Sequence, residues 1–431
     1  MAKRKALRGS ISCSCCRDEL EIEDQELLRP DGPVVFCDEC DVVMKKHDVS
    51  WFSAHLSPRF IQWTSHPDLL STSPPLLRAP VPLGMDYDLQ ASLKQAAKCL
   101  AAARDRNLPI LLVVGAGASV DSGLPDFRGP RGFYRVNGND IRMDDIDFHD
   151  DGLLPLAWGK SIIMKTHFDT AKPHQGYTAL RCLVKDTNHF VLTSNIDGFF
   201  RRAGFDDSLL YEAHGALDFL QCLHVGSDDA PCAEDLWACP KIGDLPEVDP
   251  ETNRVRRPTE LPTCPRCGTV ARPNVSHVTD TDDQISQVRK GPQFRALGAW
   301  LEQNVDSEAT ATTTTTTTPT GTVGKKLKRS PVLGTEAAAV SSHAPSPDHE
   351  DAAPSDLSLV ILEVGCGIST HSLRDETAAV ISRLKHGQAA LIRVDPGDPS
   401  VPPGLHVPLR TGASDALTSL ASLVLGNEAA I

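Results

Sequence analysis

The segment "GAGASVDSGLPDFRG" at residues 115–129 is the first candidate for chemistry, and it follows the apolar run "PILLVV". A glycine turn after a buried strand lets backbone N–H groups approach a pyrophosphate, and a helix that begins there adds a favourable dipole. A third glycine of a dinucleotide loop would stand at position 120, where this chain has Val120. The glycines alone are therefore a weak indication of dinucleotide binding, and the continuation through Asp126, Phe127 and Arg128 needs its own explanation.

Polar residues suited to a nucleotide follow other apolar runs. Asn195 and Asp197 lie in "TSNID" after "HFVL", His214 lies in "EAHG", and Asp395 ends "LIRVD". An asparagine both donates and accepts, a neutral imidazole can take a proton from a hydroxyl, and a carboxylate can accept from two ribose hydroxyls. Each residue also has a structural interpretation: Asn195 as a loop cap, Asp197 as the cap of a "GFFRRAG" helix, and His214 as an ordinary histidine before glycine.

Taken in order, these motifs and a second glycine turn ("GCG" after "VILEV") resemble the sirtuin family of NAD-dependent protein deacylases, in a bacterial-type variant. The resemblance covers residues 85–304 and 357–427. It implies that the first loop surrounds the nicotinamide–ribose end of NAD and that His214, Asn195 and Asp197 are catalytic. The residues that it implies for cofactor binding are Gly115, Ala116, Gly117, Ser119, Asp126, Phe127, Arg128, Ser194, Asn195, Asp197, Gly365, Cys366, Gly367 and Asp395.

The activity implied by the resemblance is removal of acyl groups from lysines of a protein substrate, which gives nicotinamide and O-acyl-ADP-ribose. Protein ADP-ribosyl transfer or NAD hydrolysis in the same pocket is the alternative enzyme reading. A zinc scaffold that binds NAD or ADP-ribose without turnover is the alternative from another class. Ser194 replaces a usual glutamine, and Ser276, His277 and Val278 replace the stretch that pairs with the acyl-lysine peptide, which leaves the acyl preference open.

Cysteine spacing predicts a structural zinc site. "CPRCG" at 264–268 is half of such a site, because Cys-x-x-Cys on a tight turn presents two thiolates to one metal ion. The other half should lie upstream of it, with Cys239 and His224 as further candidate ligands, and a half-lost site without metal is the alternative. The favoured Zn²⁺ ligands are Cys222, Cys232, Cys264 and Cys267.

A second cysteine group lies near the start of the chain. Cys13, Cys16, Cys37 and Cys40 form two Cys-x-x-Cys pairs, at the upper edge of zinc-ribbon spacing. The block at 1–80 has few large apolar residues, so a metal ion would help it to fold. A second zinc site is therefore possible in a small N-terminal module, whose task the sequence does not specify.

Alternating helical and strand patterns define the fold class as α/β. We predict a Rossmann-like, doubly wound parallel sheet with a small zinc-binding subdomain and a small N-terminal cysteine-rich module. The low-complexity stretch "TATTTTTTTPTGT" and its surroundings are too polar for a core and predict a disordered insertion. The expected boundaries are 1–80 for the module and linker, 85–304 for the first part of the domain with its zinc subdomain at about 218–272, 305–356 for the insertion, and 357–431 for the completed domain.

Composition limits the partners and the compartment. The chain has 431 residues, thirteen cysteines and a net charge of −14, which argues against direct nucleic-acid binding through a basic surface. No apolar stretch has the length of a membrane span, and no apolar segment follows the basic start "MAKRKALRGS". We therefore expect an intracellular protein, cytoplasmic or nuclear, that does not bind membranes. The oligomeric state stays open.

Overall fold

Short apolar runs form a six-stranded parallel sheet in the computed structural model. The strands are β3 (Ile110–Val114), β4 (His189–Thr193), β5 (Leu210–Glu212), β9 (Leu359–Val364), β10 (Ala389–Val394) and β11 (His406–Leu409). Their order across the sheet is β11-β10-β9-β3-β4-β5, and every neighbouring pair is parallel. The structure describes residues 9–12, 19–22, 87–126, 132, 146–225, 232, 235–277, 280, 284–306, 355–367, 371–384, 388–402 and 404–426.

The strand order reverses between β3 and β9. From β3 the chain moves to β4 and then β5 on one side, and from β9 it moves to β10 and then β11 on the other. The polypeptide therefore leaves the two central strands in opposite directions at their carboxyl ends. In open α/β sheets such a switch point opens a crevice where ligands bind.

Helices cover both faces of this sheet, because its central strands are apolar on both sides. Alternate residues of β3 belong to different cores: Leu112 packs in one and Val113 in the other. The helices are α1 (Leu89–Asp105), α2 (Leu154–Thr170), α3 (Gln175–Val184), α4 (Phe199–Arg202), α5 (Gln287–Leu301), α6 (His371–Ser382) and α7 (Ala413–Leu425). The first core also contains residues of α1, α3 and α7, and the second contains residues of α5 and α6.

A second, smaller sheet is antiparallel and has three strands. Its order is β7-β6-β8, with β6 at Gly215–Cys222, β7 at Leu236–Ala238 and β8 at Ala271–Val275. The buried indole of Trp158 in α2 donates from Nε1 to the Ala271 carbonyl at 3.0 Å, which holds α2 against β8. This arrangement agrees with the predicted fold class: a doubly wound parallel sheet beside a small subdomain that contains cysteines.

The N-terminal block and the insertion lie largely outside the described residues. In the N-terminal block, β1 (Gly9–Ser12) pairs antiparallel with β2 (Glu19–Ile22). Its four candidate metal ligands, Cys13, Cys16, Cys37 and Cys40, are outside the described part, as is 307–354. On the near side of that gap, Glu302–Asp306 continues α5 as a π-helical turn. Among the helices of the described ranges, none combines the length and apolar character needed to span a membrane.

Candidate functional site

Two glycine turns meet at the switch point, backbone against backbone. The Gly117 N–H donates to the Gly365 carbonyl at 2.9 Å, and the Gly115 N–H donates to the Val364 carbonyl at 3.0 Å. A Cβ on Gly117 would lie 2.8 Å from the Cα of Gly365. A Cβ on Gly365, whose φ is +60°, would lie 2.1 Å from the Ala118 nitrogen. Both turns therefore need glycine, because any side chain would force them apart.

The segment after the first turn is a 3₁₀ helix, Ala116–Ser122, whereas a longer helix is usual at a dinucleotide loop. The start of α3 holds this short helix in place. The His174 Nε2 lies 2.9 Å from the Ala118 carbonyl, and the His174 N–H donates to the Ser122 hydroxyl at 2.9 Å. The shape of the loop therefore depends on packing against α3 more than on its own helical hydrogen bonds.

Below these turns lies a buried polar cluster centred on Ser119. The Ser119 hydroxyl donates to Asp197 Oδ2 at 2.6 Å and lies 3.0 Å from the Tyr177 hydroxyl. The Asn195 Nδ2 donates to the Gly115 carbonyl at 3.1 Å and lies 3.3 Å from the Ser119 Oγ. Two predicted site residues, Asn195 and Asp197, are thus brought together against the glycine turn, with Tyr177 behind them.

One polar atom of the Asn195 side chain, the amide oxygen, is not used by the polar cluster. Its Oδ1 is buried and makes no hydrogen bond within the described structure. A buried acceptor without a partner is costly, and a ligand or an ordered water is the usual remedy. The pocket beside Asn195 therefore fits a molecule that brings a hydrogen-bond donor, such as a carboxamide or a ribose hydroxyl.

Asp197 has a structural role as well as a place in the pocket. Its Oδ1 accepts from the Phe199 N–H, the first N–H of α4, at 2.9 Å, although the N-cap position itself is occupied by Gly198. Burial raises the pKa of this carboxyl, and the hydrogen bonds from Ser119 and Phe199 oppose that shift. Tyr177 shows the same effect, because burial and the neighbouring Asp197 raise the pKa of its phenol.

His214 lies between the two sheets, in the turn from β5 to β6. Its carbonyl accepts from the Ser276 N–H at 3.0 Å. The next residue, Gly215, has φ +79°, and a Cβ there would lie 2.1 Å from the Asn274 carbonyl oxygen. Glycine is therefore required at this position, and it brings the chain close enough to β8 for the backbone of His214 to be held.

The segment after β8, where the sequence departs from the sirtuin pattern, is anchored by a buried ion pair. Arg272 forms two hydrogen bonds with the Asp280 carboxylate, at 2.6 and 2.7 Å. The His277 N–H donates to Asp280 at 2.7 Å, and its ring lies 5.4 Å from that of Phe148. Burial, together with the nearby Arg272 charge, lowers the pKa of His277 to about 4. His277 is thus a part-buried residue that stays neutral near pH 7; Val278 lies outside the described residues.

Two predicted residues follow β9 and β10, and one is buried while the other is bound by its own loop. Cys366 is buried, with its Sγ 3.4 Å from the Val113 carbonyl, and burial raises the pKa of this thiol, so only its backbone faces the turn. Asp395 Oδ1 accepts from the N–H groups of Gly397 and Asp398 at 2.8 and 2.9 Å. Its Oδ2 lies 3.6 Å from Arg374. One carboxylate oxygen of Asp395 is therefore already engaged by its own loop.

Four cysteine side chains from three separate segments converge beside the small sheet. Their sulfur atoms all lie within 4.8 Å of one another, and those of Cys222, Cys232 and Cys267 are 3.3, 3.5 and 3.6 Å apart in pairs. A tetrahedral zinc ion with bonds of about 2.3 Å would separate its sulfur ligands by roughly 3.8 Å, so the cluster fits zinc. The members are the favoured ligands Cys222, Cys232, Cys264 and Cys267.

The two other candidate ligands stand outside this cluster. Cys239 is half-buried at the end of β7, where its N–H donates to the Asp218 carbonyl at 2.8 Å. His224 contributes its backbone, since its N–H donates to the Cys222 Sγ at 3.4 Å. Such an N–H stabilises a thiolate that binds a metal ion.

The remaining predicted residues lie near the ends of strands or outside the described residues, and two residues of the polar cluster and its surroundings were not predicted. Phe127 and Arg128 lie outside the described residues, and Asp126 is the last described residue before them. Ser194 lies at the end of β4, where its N–H donates to the Val114 carbonyl at 3.2 Å. His174 and Tyr177 were missed, because in "HQGYTALRCL" their spacing indicates only an ordinary amphipathic helix.

The family model and the curated relatives that this chain matches point to the same family. The model of the Sir2 family matches residues 115–290, which include the first glycine turn, His214 and the four cysteines of the cluster. "NAD-dependent protein deacylase 2" of Pseudomonas aeruginosa is 34% identical over 172 residues, covering 38% of this chain and 59% of that protein. "NAD-dependent protein deacylase sirtuin-5, mitochondrial" of Danio rerio is 30% identical, covering 40% of this chain and 58% of that protein.

A third relative, the "NAD-dependent protein deacetylase" of Bordetella pertussis, is 28% identical over 187 residues, 40% of this chain and 65% of its own length. The chain thus spans about three fifths of the length of the curated relatives that it matches.

Proposed function

We propose that this chain, whose residues 115–290 match the model of the Sir2 family, is an NAD-dependent protein-lysine deacylase that gives nicotinamide and O-acyl-ADP-ribose. One observation carries the proposal. Asn195 and Asp197 are buried together under the paired glycine turns of the switch point, and the Asn195 Oδ1 has no hydrogen-bond partner among the described residues. When bound, NAD supplies a ribose carbon whose bond to nicotinamide can break. A buried amide acceptor and glycine-lined backbone are the groups expected around that end of the molecule.

Each polar residue of the cluster has a distinct task in this proposal. Asn195 orders a ribose hydroxyl or a water through its free Oδ1. Asp197, oriented by Ser119 and by the Phe199 N–H, accepts from the nicotinamide carboxamide. Burial of these groups excludes water, which strengthens the hydrogen bonds that they make with a ligand.

His214 is the proposed general base. A neutral imidazole accepts a proton from a ribose hydroxyl near neutral pH, and the junction between the sheets holds its backbone toward β8. Ser276 follows β8 and already pairs with the backbone of His214, so the same segment can align an extended substrate peptide through main-chain hydrogen bonds. We propose a protein that carries an acylated lysine as the partner, with no direct binding of nucleic acid.

The remaining cofactor contacts are proposed from the turns. Gly115, Gly117, Gly365 and Gly367 bring backbone close to the phosphates, and Asp395 offers its Oδ2 at the adenosine end. Ala116, Ser119, Asp126, Phe127, Arg128, Ser194 and Cys366 complete the proposed set.

The four-cysteine cluster has a structural task in this proposal. A zinc ion with four protein ligands has no open position, so it does no chemistry. Cys222, Cys232, Cys264 and Cys267 would hold it, and it would fix the loops that join β6, β7 and β8.

Nicotinamide release from NAD by the purified protein, with and without an acetyl-lysine peptide, tests the proposal. We expect release that requires the peptide and that His214→Ala lowers by about a hundredfold or more. His167→Ala, at an exposed histidine of α2, is the matched control and should keep wild-type activity. Release that does not depend on the peptide would replace this proposal with ADP-ribosyl transfer or NAD hydrolysis. NAD binding without any release would leave a scaffold.

A further inference from the structure

The position of His214 depends on how two sheets are held together. β5 ends at Glu212 in the parallel sheet, and β6 begins at Gly215 in the antiparallel sheet. Only two residues lie between these strands, and His214 is one of them. On one side, the Ala213 N–H donates to the Thr193 carbonyl at 2.8 Å. Any relative movement of β5 and β6 therefore moves the imidazole.

Arg201 of α4 connects the two strands with one guanidinium group. Its Nη1 lies 2.5 Å from Glu212 Oε2, and its Nη2 lies 2.5 Å from Asp218 Oδ2. Glu212 is the last residue of β5, and Asp218 lies within β6. The planar guanidinium fixes the direction of both hydrogen bonds, which a lysine ammonium would not do. We call Arg201, Glu212 and Asp218 the arginine bridge.

The arginine bridge also packs on the turn that carries Asn195 and Asp197. Gly198 follows Asp197 with φ +68°, and a Cβ there would lie 2.7 Å from the Arg201 Nη2. The same Cβ would lie 2.6 Å from Asp218 Oδ2, so the bridge fills the space beside this glycine. The Arg201 guanidinium thus contacts the turn after Asp197 and also binds the strands on both sides of His214.

A second arginine supports the bridge from α5. Arg289 hydrogen-bonds the buried Glu212 carboxylate and pairs with Asp207 at 2.6 Å. The two guanidinium carbons lie 5.2 Å (Arg201) and 4.9 Å (Arg289) from the centroid of the Phe219 ring. Both cations therefore share one carboxylate and one aromatic ring, which offsets their mutual repulsion.

We propose that Arg201 is a positioning residue that couples the Asn195–Asp197 turn to His214 through Glu212 and Asp218. Both of its terminal nitrogens are engaged by carboxylates, so it acts through the residues that it holds and not on a substrate. The kinetic consequence rests on the proposed deacylase function, whereas the geometric consequence does not. Misplacing a catalytic group by about 1 Å can cost on the order of a hundredfold in rate.

Asp218→Asn is the variant that tests the coupling with least damage. It removes the charge on the β6 side of the bridge and leaves the buried Glu212 paired with both arginines. The Asp218 side chain is 40% exposed, so the folded state should persist. Lys165, which lies 3.6 Å from Asp218, keeps its partner Asp169 at 3.1 Å. Arg201→Met is the second variant and removes the whole bridge.

Two readouts separate positioning from a merely structural role. With NAD and an acetyl-lysine peptide, kcat should fall about tenfold in Asp218→Asn, while KM for NAD changes less than about twofold. Without NAD, the ring signals of His214 in an NMR spectrum, assigned with His214→Gln, should shift in Asp218→Asn. A loss of general stability would lower the melting temperature without moving these signals in the folded protein.

Arg257→Met is the matched control for the loss of an arginine–carboxylate pair. Arg257 pairs with Glu260 at 2.6 Å on the surface, with both side chains largely exposed, so kcat and the His214 signals should match wild type. His214 signals and a kcat that stay unchanged in both Asp218→Asn and Arg201→Met would overturn the coupling. If wild-type protein shows no peptide-dependent turnover, the deacylase proposal fails, and shifted His214 signals would still support the bridge.

Discussion

The two sheets of this protein build their sites by different means. At the switch point of the parallel sheet, the site depends on close backbone contact above its polar side chains: Gly117 and Gly365 approach so closely that a side chain on either would collide with the other turn. Beside the antiparallel sheet, the site is made of side chains, four thiols from three separate segments. The first site needs glycines that have no side chain at the contact, and the second needs a fold that brings distant cysteines together. The two sites should therefore fail under different perturbations.

Removing the metal ion should have the largest effect, and only on the small sheet. Structural zinc sites are stabilised by about 10 kcal/mol or more of apparent binding free energy, so a chelator should unfold the loops between β6 and β8. We expect metal analysis to find one equivalent of zinc less in Cys264→Ser than in the wild type. Circular dichroism should show that most of the helical signal remains.

Two control variants sharpen this prediction. Cys182→Ser, at a half-buried cysteine of α3, should keep the zinc. Cys239→Ser should keep it as well, because Cys239 lies outside the cluster. Loss of zinc from Cys239→Ser would mean that the ligand set is wrong.

Gly365→Ala should damage the other site and leave the zinc in place. The new Cβ would meet the Ala118 nitrogen at 2.1 Å in a left-handed conformation, which should cost about 3 kcal/mol or more. We expect calorimetric titration to show that NAD binding is lost. Gly243→Ala is the control, because a Cβ at Gly243 meets nothing within 4 Å. Normal NAD affinity in Gly365→Ala would contradict the backbone-built site.

Lowering the pH should have a smaller effect, and its sign should differ between His277 beside the small sheet and Asp197 at the switch point. The pKa of His277 is lowered to about 4 in the folded protein, so the unfolded chain takes up a proton at a higher pH than the folded protein does. Stability is therefore lost as the pH falls from about 6.5 toward 4. Between pH 7 and pH 5 this one group should lower the free energy of unfolding by about 2 kcal/mol. The pKa of Asp197 is shifted upward, so its contribution has the opposite sign: stability is lost as the pH rises.

Denaturant unfolding at pH 7 and pH 5 checks the acid prediction. His277→Gln cannot take up the proton, so its stability should fall less than that of the wild type over this interval. An equal fall in both proteins would show that His277 is not the group that responds to acid.

Much of the fold could be predicted from the sequence, because its signals are local. The apolar runs of β3, β4, β9 and β10 and the amphipathic patterns of α1, α3 and α7 mark their elements directly. Two helices were not predicted from the sequence. α2 (Leu154–Thr170) is buried over most of its middle, including Lys160 and Lys165, so it has no clear polar face. α5 (Gln287–Leu301) has Pro292 in its interior.

The sequence motifs indicate candidate site residues one at a time, but they do not indicate the contacts between them. Asn195, Asp197 and His214 stand in recognisable motifs, whereas Tyr177 and His174 stand in an ordinary helix pattern. The arginine bridge shows why: Arg201 reaches Glu212 and Asp218 across two sheets, and no spacing in the chain reports that contact. Contacts made by the tertiary fold are therefore the part that the sequence could not reveal.

Mass spectrometry of the reaction products tests the central claim most directly. With NAD and an acetyl-lysine peptide, the wild-type protein should give one O-acetyl-ADP-ribose for each peptide that loses its acetyl group, and His214→Ala should give neither. Free ADP-ribose or an ADP-ribosylated protein, with the peptide still acetylated, would contradict the deacylase account.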